Sequence, residues 1–438
     1  MVSNGKLDLD YLVQPDRVHR SCYTDADIFA RELEALFERT WIYIGHESQV
    51  KRPGNYATTQ IGRQPVIMVR DGSGVIRVLY NRCPHRGSML CNELMGHAGQ
   101  TFTCSYHAWQ FNLDGRVYAI PARQGYDNTR FCMEDPDASM KPAAQVDNYR
   151  GFVFAKLSQG GPDLLTFLGG ARMAFDDMCN RAPEGEVDIV PTYFRVIQKS
   201  NWKIFLENQL DALHPSVTHG AVGKVATDVE EAIRRETGHE PPLKYHYLSA
   251  FTTPIFKWEG LETVGHPYGH CVLQGYMGLR PQDPDTLAYE ETMREHYGAE
   301  RTEEILGVNV HHVLVYPCLS VQSSLQQLRA VRSLAPDRTL TEIWHFRLRG
   351  APEAIYRRSL DYYNLVNSPS TMVNADDLYN FWRCHEGLRS DGGDWVSFHR
   401  NAGMDHDKDG VMHSATGLSE LPMRHMFGAW KQYLEGVV

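Results

Sequence analysis

Cys83-Pro84-His85-Arg86-Gly87 and Cys104-Ser105-Tyr106-His107-Ala108-Trp109 decide how the first part of this chain folds. Each arm carries one cysteine and one histidine, and eighteen residues separate His85 from Cys104. Two thiolates and two neutral imidazoles suit either a tetrahedral structural zinc or a [2Fe–2S] cluster in which His replaces Cys on one iron. Zinc-finger spacing typically groups Cys with Cys and His with His, whereas here each arm holds one of each, which favours the iron–sulfur reading. Such a cluster handles single electrons, so the rest of the chain is expected to contain something that receives them.

The CxH…CxxH pattern resembles the Rieske domain of bacterial ring-hydroxylating oxygenases, and the flanks Arg86-Gly87, Ala108-Trp109-Gln110-Phe111 and Asp114-Gly115 resemble it too. The resemblance assigns Cys83, His85, Cys104 and His107 to the cluster. At 438 residues the chain is too long for a Rieske ferredoxin alone and has room for two to three domains. Its 42% hydrophobic and 22% charged content are ordinary for a globular protein. The formal charge of −10 argues against nucleic acid or an anionic membrane as partner. No apolar run approaches a membrane-spanning length, and Met1-Val2-Ser3-Asn4-Gly5-Lys6 lacks the apolar core of a secretory signal. A cytoplasmic protein is therefore expected. The seven cysteines outside the motif (Cys22, Cys91, Cys132, Cys179, Cys271, Cys318, Cys384) read as reduced thiols.

Between Asp25 and Thr40 the apolar residues Ile28, Phe29, Leu33, Leu36 and Phe37 recur at helical spacing. From Ile42 to Phe154 short β-rich runs replace them, including Val66–Val69 and Val75–Tyr80 around the turn Asp71-Gly72-Ser73-Gly74. A small antiparallel β domain is expected there, with the cluster ligands in two loops at its tip. Beyond Gly160-Gly161-Pro162, helical patterns (Leu164–Cys179, Asn201–Leu213, Thr227–Glu236) alternate with strand-like runs (Cys271–Gln274, His312–Tyr316, Leu340–Phe346). The expected class is α+β: a small antiparallel β Rieske domain inserted in a larger α+β catalytic domain whose mostly antiparallel sheet is covered by helices. The expected boundaries are 1–41 for an N-terminal helical part of the catalytic domain, 42–158 for the Rieske domain and 159–438 for the catalytic domain.

The segment from Asn201-Trp202-Lys203 to His219 holds a second candidate metal site. Asp211 and His214 are three apart, which on a helix puts them on one face. Pro215 biases the preceding residue away from the α region, so the helix is expected to end or kink at His214 and let His219 swing back. Two His and a carboxylate with open coordination positions form the facial triad of non-haem Fe(II) oxygenases, although a hydrolytic zinc takes a similar set. A Rieske cluster upstream tips the balance, because electrons serve O₂ activation and not hydrolysis.

NWK, then Glu207-Asn208, then D-x-x-H-x-x-x-x-H resembles the catalytic-iron motif of the ring-hydroxylating oxygenase large subunits, and the resemblance runs from about Trp41 to Trp430. It implies that His214 and His219 bind a mononuclear iron and that a downstream carboxylate completes the set: Asp377 of Ala375-Asp376-Asp377-Leu378, with Asp376 as the alternative. It further implies that Asp211 links the iron to a cluster histidine of a neighbouring subunit, hence a trimer, either α3 or α3β3 with a small β subunit. A carboxylate that accepts the free N–H of an iron-bound His would fix its tautomer. Asn208 is placed either beside the iron or in the core.

The implied activity is that of the terminal oxygenase of a multicomponent dioxygenase. Electrons would come from a reductase or ferredoxin, ultimately from NAD(P)H, and O₂ would be added to an aromatic ring to give a cis-dihydrodiol. No convincing dinucleotide fingerprint occurs, so NAD(P)H would bind elsewhere. The short gap between Asn208 and Asp211 and the run Ser324–Arg329 resemble the aromatic-acid branch. A carboxylate substrate would be met by an Arg in an apolar pocket; Arg329 and Arg332 lie on a suitable run but read as sheet-surface or subunit-contact side chains. A Rieske monooxygenase is the alternative within the same chemistry, and a non-catalytic electron carrier the alternative outside it.

Overall fold

The computed structural model describes residues 2–3, 6–191, 193–275, 280–414 and 416–437. The chain divides into two compact units, Leu33–Thr166 and the combination of Met1–Glu32 with Phe167–Val438. The sequence of the first is thus inserted into that of the second. Every strand pairing among the described residues of both units is antiparallel.

In the Leu33–Thr166 unit, Asn55–Ile61, Gln64–Arg70 and Ile76–Tyr80 form a meander extended by Met95–His97. The Asp71 turn is built as its sequence demands: its carboxylate accepts the backbone N–H groups of Ser73 and Val75 and pairs with Arg77. Thr101–Thr103, Gln110–Asn112 and Val117–Ala119 form a second small sheet, and Ile42–His46, Phe152–Lys156 and Gln145–Tyr149 a third. Ile67, Val69, Leu79, Phe102, Trp109 and Phe111 make one buried core that reaches the two cysteine loops.

The larger unit is organised on a ten-stranded sheet. Its order is Val187–Ile189, Arg338–Leu348, Gln327–Ala335, Leu319–Gln322, Val310–Val315, His270–Gln274, Glu262–His266, Val411–Ser414 and His406–Lys408, and Phe194–Gln198 also pairs with Arg338–Leu348. The central strands are buried almost without interruption, as expected of strands covered on both faces. The C-terminal helix Leu421–Glu435 packs on Glu262–His266 and His270–Gln274. The α+β class with a mostly antiparallel sheet is thus the observed one. No helix among the described residues is long and apolar enough to cross a membrane.

Four helices carry or frame the candidate site: α1 (Trp202–Gln209), α2 (His214–Thr218), α3 (Gly220–Thr237) and α4 (Met372–Leu388). The Asn201 side chain caps α1 by accepting from Lys203 N at 3.2 Å, and its amide ties the cap to the Tyr23 carbonyl at 2.9 Å. Two sequence expectations are corrected here. The helix expected over Asn201–Leu213 stops at Gln209, because the Asp211 carboxylate accepts Leu213 N at 2.9 Å and closes a turn in place of another helical residue. Asp211 and His214 therefore do not share a helical face. Pro215 does not end a helix either; it stands in the first turn of α2, where its missing N–H costs nothing.

Candidate functional site: a two-histidine, one-carboxylate cluster

His214 opens α2, His219 lies at its C-terminal end, and Asp377 projects from α4. One ligand atom from each meets the others within 4.8 Å, a grouping of three that no other His, Cys, Asp or Glu residues make among those described. His219 Nε2 stands 3.1 Å from Asp377 Oδ1, and His214 Nε2 3.7 Å from the same oxygen. Asp377, not Asp376, contributes to this group. Asn208, from the last turn of α1, sets its amide Nδ2 3.0 Å from His214 Nε2 and 3.4 Å from Asp377 Oδ1. It faces the cluster and not the core.

The donor set fits a metal. His214 Nδ1 donates to the backbone carbonyl of Asp211 at 2.8 Å, which leaves Nε2 as the lone-pair nitrogen directed at Asp377 and His219. Burial lowers the His214 pKa, keeping its ring neutral and able to ligate. The fixing group is the Asp211 peptide oxygen, whereas the Asp211 carboxylate had been expected; Oδ2 is 3.9 Å away. The carboxylate is left to Leu213 N and to Arg400, whose Nη2 lies 3.4 Å from Asp211 Oδ1 and 3.4 Å from Glu420 Oε1. Sequence reasoning missed Arg400: it sits 189 residues away in an irregular loop that carries no motif.

Beside this turn, burial pushes the Glu207 carboxyl up to about 8, with Glu420 and Asp211 adding to the effect, against the Tyr23 hydroxyl that donates to it at 2.8 Å and the Lys203 charge. An acid whose folded pKa lies above its ordinary 4.5 binds its proton more tightly when folded. Its contribution to stability is then present at low pH and is lost as pH rises toward about 8. Glu207→Gln is expected to flatten that part of the stability–pH curve, measured as urea midpoints between pH 5 and 8; an unchanged slope would refute the assignment.

A cavity of about 380 Å³ opens onto the cluster. Phe205, Phe251, Leu273, Val310 and Phe381 supply apolar wall, and Asn208, His214, His219 and Asp377 line the same space. Such a mix of apolar surface with few convergent polar groups is the usual form of a small-molecule site.

In the Leu33–Thr166 unit, Cys83 and Cys104 are buried in two similar tight turns. Cys83 O accepts Gly87 N at 2.9 Å, and Cys104 O accepts Ala108 N at 2.9 Å. These turns require positive φ at Gly87 and Ala108, 78° and 52°. Burial raises the Cys83 thiol, opposed by the backbone amides of His85 and Arg86. At Cys104 burial also acts to raise the thiol, but the amides of Tyr106 and His107 together with the Cys83 and Ser88 side chains lower it. Backbone N–H groups aimed at sulfur suit anionic ligands. The His85 and His107 rings lie 4.6 Å apart, and His85 stacks on Trp109 at 5.0 Å and 3°. A single tetrahedral zinc would need its four ligand atoms within roughly 4 Å of one another. No three of these four residues gather within 4.8 Å, which suits separate sulfur-bound and nitrogen-bound irons. Of the remaining seven cysteines, Cys22, Cys91, Cys179, Cys271 and Cys318 are buried and Cys132 and Cys384 are exposed.

Residues 40–133 match the family described as the Rieske [2Fe-2S] domain, and residues 185–436 match the ring hydroxylating alpha subunit (catalytic domain). The chain belongs to the ring-hydroxylating alpha-subunit family: it is an oxidoreductase, an aromatic-ring-hydroxylating dioxygenase component of the Rieske non-haem iron type, served by a [2Fe–2S] cluster and a mononuclear iron. It is 30% identical to toluate 1,2-dioxygenase subunit alpha of Pseudomonas putida over 90% of this chain and 85% of that one. It is 28% identical to the 2-halobenzoate 1,2-dioxygenase large subunit of Burkholderia cepacia over 88% and 80%. Among solved structures, a naphthalene 1,2-dioxygenase variant bound to phenanthrene shares the fold with a TM-score of 0.79 at 22% identity, over 99% of this chain and 95% of that one. A quaternary ammonium Rieske monooxygenase in complex with L-carnitine also shares it, with a TM-score of 0.68 at 20% identity, over 98% and 99%.

Proposed function

We propose that this chain is the terminal oxygenase that cis-dihydroxylates an aromatic carboxylic acid, with His214, His219 and Asp377 holding the iron and Cys83, His85, Cys104 and His107 holding the cluster. The observation that carries the reading is the convergence of three ligand atoms within 4.8 Å in the wall of a largely apolar cavity. When bound, the cluster supplies single electrons and the iron supplies O₂ activation. The protein's own part is positional. The Asp211 peptide oxygen holds the His214 ring in one tautomer and one orientation. Asn208 offers an amide to the same space, and the aromatic walls keep water from the substrate ring.

Asp211 is given the linking role to a cluster histidine of a neighbouring subunit. Its carboxylate is 25% exposed and only partly engaged, which leaves it an oxygen to offer. That role implies a trimer, α3 or α3β3; the same reading includes a separate reductase or ferredoxin drawing on NAD(P)H and a cytoplasmic site of action. The acid class is supported by relatives named for toluate, 2-halobenzoate and anthranilate. The domain limits 1–41, 42–158 and 159–438 remain part of this proposal.

The test is a single turnover of chemically reduced, iron-loaded protein with O₂ and a panel of aromatic acids and hydrocarbons, products read by mass. Addition of two oxygens and two hydrogens to an acid is the expected result. Addition of one oxygen, or loss of a methyl group, would replace the dioxygenase reading with a monooxygenase one. Dihydroxylation of hydrocarbons alone would overturn the acid class.

A further inference from the structure

Four arginines line the cavity that holds the His214–His219–Asp377 cluster: Arg181, Arg280, Arg329 and Arg358. Three of them are neutralised by nearby acids. Arg181 pairs with Asp177 at 3.0 Å, Arg280 with Glu290 at 2.7 Å and Glu303 at 2.8 Å, and Arg358 with Asp283 at 2.9 Å. Arg329 has no carboxylate within 4.0 Å among the described residues. It is the third residue of the buried strand Gln327–Ala335, between Leu328 and Ala330, and is itself only 6% exposed. Its Nη2 donates to Gln322 Oε1 at 2.7 Å, and its Nε is enclosed without any partner. Gln322 in turn meets His312 Nε2 through its Nε2 at 3.0 Å, so the amide is oriented with its oxygen toward the guanidinium. Arg332, three positions on and on the other face of the strand, shows the ordinary arrangement: it is buried against Glu342 at 3.1 Å. Arg332 is thus a structural arginine, while Arg329 is not the sheet-surface or subunit-contact side chain expected of it.

A buried cation held in place by a neutral amide but lacking a counter-ion is costly, and it is sustained where a ligand supplies the missing charge. Burial pushes the Arg329 guanidinium down to about 10, and Tyr362 and Asp377, which do not form an ion pair with it, oppose that shift only in part. The remaining wall, with Phe205 whose ring centre lies 5.9 Å from the guanidinium carbon, is suited to a flat apolar body.

We propose that Arg329, oriented by Gln322 and His312, is the residue that binds the carboxylate of a monoanionic aromatic acid in this cavity and so sets the enzyme's preference for acids over neutral arenes. The inference rests on the proposed function for the site but is tested by binding, independently of turnover. The probes are benzoate and its neutral near-isostere benzamide, titrated calorimetrically into the iron-loaded, cluster-containing protein. Wild type is expected to bind benzoate at least about tenfold more tightly than benzamide, and Arg329→Met to raise the benzoate Kd about 10- to 100-fold while changing that of benzamide by less than about threefold. Arg329→Lys, which keeps the charge but loses the planar fork, is expected to retain part of the preference. Equal weakening of both probes in Arg329→Met would reduce Arg329 to a packing role, and an unchanged benzoate Kd would place the carboxylate elsewhere; either overturns the proposal. Should Arg329→Met fail to fold, wild-type selectivity and the lysine variant decide the matter, and a wild-type preference for benzamide overturns it. Benzoate bound through Arg329 but left unoxidised along with every other acid would sustain this assignment and refute the reaction proposed above; acid oxidation by Arg329→Met with wild-type kcat/KM would do the reverse.

Discussion

Replacing His219 with alanine is expected to abolish product formation while leaving the Rieske absorption spectrum intact. His219 is the most enclosed member of the cluster, 1% exposed, with Nε2 3.1 Å from Asp377 Oδ1. Its loss leaves His214 and Asp377, and one imidazole with one carboxylate does not make a facial triad. Turnover should fall by on the order of 10³-fold or more, because the iron supplies the step the protein cannot perform. Iron content by mass spectrometry should drop in parallel. Cys104→Ser is the complementary control: it should erase the cluster spectrum and retain mononuclear iron. Normal multiple turnover by His219→Ala would remove the triad assignment.

The largest expected effect on stability lies at Lys203, the third residue of the NWK motif. Lys203 and Glu32 form an ion pair in which both side chains are fully buried. The Glu32 carboxylate also accepts the indole N–H groups of Trp202 at 2.9 Å and Trp430 at 2.7 Å. The ammonium lies 4.6 Å from the centre of the Trp202 ring. The pair joins α1, the helix Ala26–Glu32 and the C-terminal helix, segments far apart in sequence. Lys203→Met removes the cation and leaves a buried carboxylate with two neutral donors, which should destabilise this unit by about 3–5 kcal/mol. Lys203→Met combined with Glu32→Gln should recover part of that loss, because no unpaired charge remains and the amide oxygen still accepts from an indole. Urea unfolding followed by tryptophan fluorescence measures both. A single variant within about 1 kcal/mol of wild type would show that the pair is not what holds these segments together.

The cofactor class was legible in the chain because the residues proposed as its ligands combine residue type with short spacing. Cys83/His85 and Cys104/His107 each sit within one turn, and His214/His219 bracket one short helix. A turn has few conformations, so such local spacing carries geometry. The antiparallel strands were legible for the same reason, from alternation, β-branched runs and turn residues such as Asp71-Gly72.

Where an outcome depended on hydrogen-bond competition, the sequence reading went astray. Helical periodicity ran on to Leu213, but the Asp211 carboxylate captured Leu213 N and ended the helix early. Nothing in the spacing told the Asp211 peptide oxygen from its side chain as the partner of His214.

The sequence by itself determined which residues can be ligands, the class of the fold and the family to which the chain belongs. Tertiary structure alone decided which long-range partner each polar group obtained. Asp377 meets His219 across 158 residues, Arg400 reaches Asp211 across 189, and Glu32 meets Lys203 across 171. It also separated Arg332, which found Glu342, from Arg329, which donates to the neutral amide of Gln322. The physical reason is that a charge's state depends on what surrounds it after folding, and burial multiplies the consequence of having or lacking a counter-ion. Two arginines three residues apart on one strand look alike in sequence and face opposite ways in the sheet.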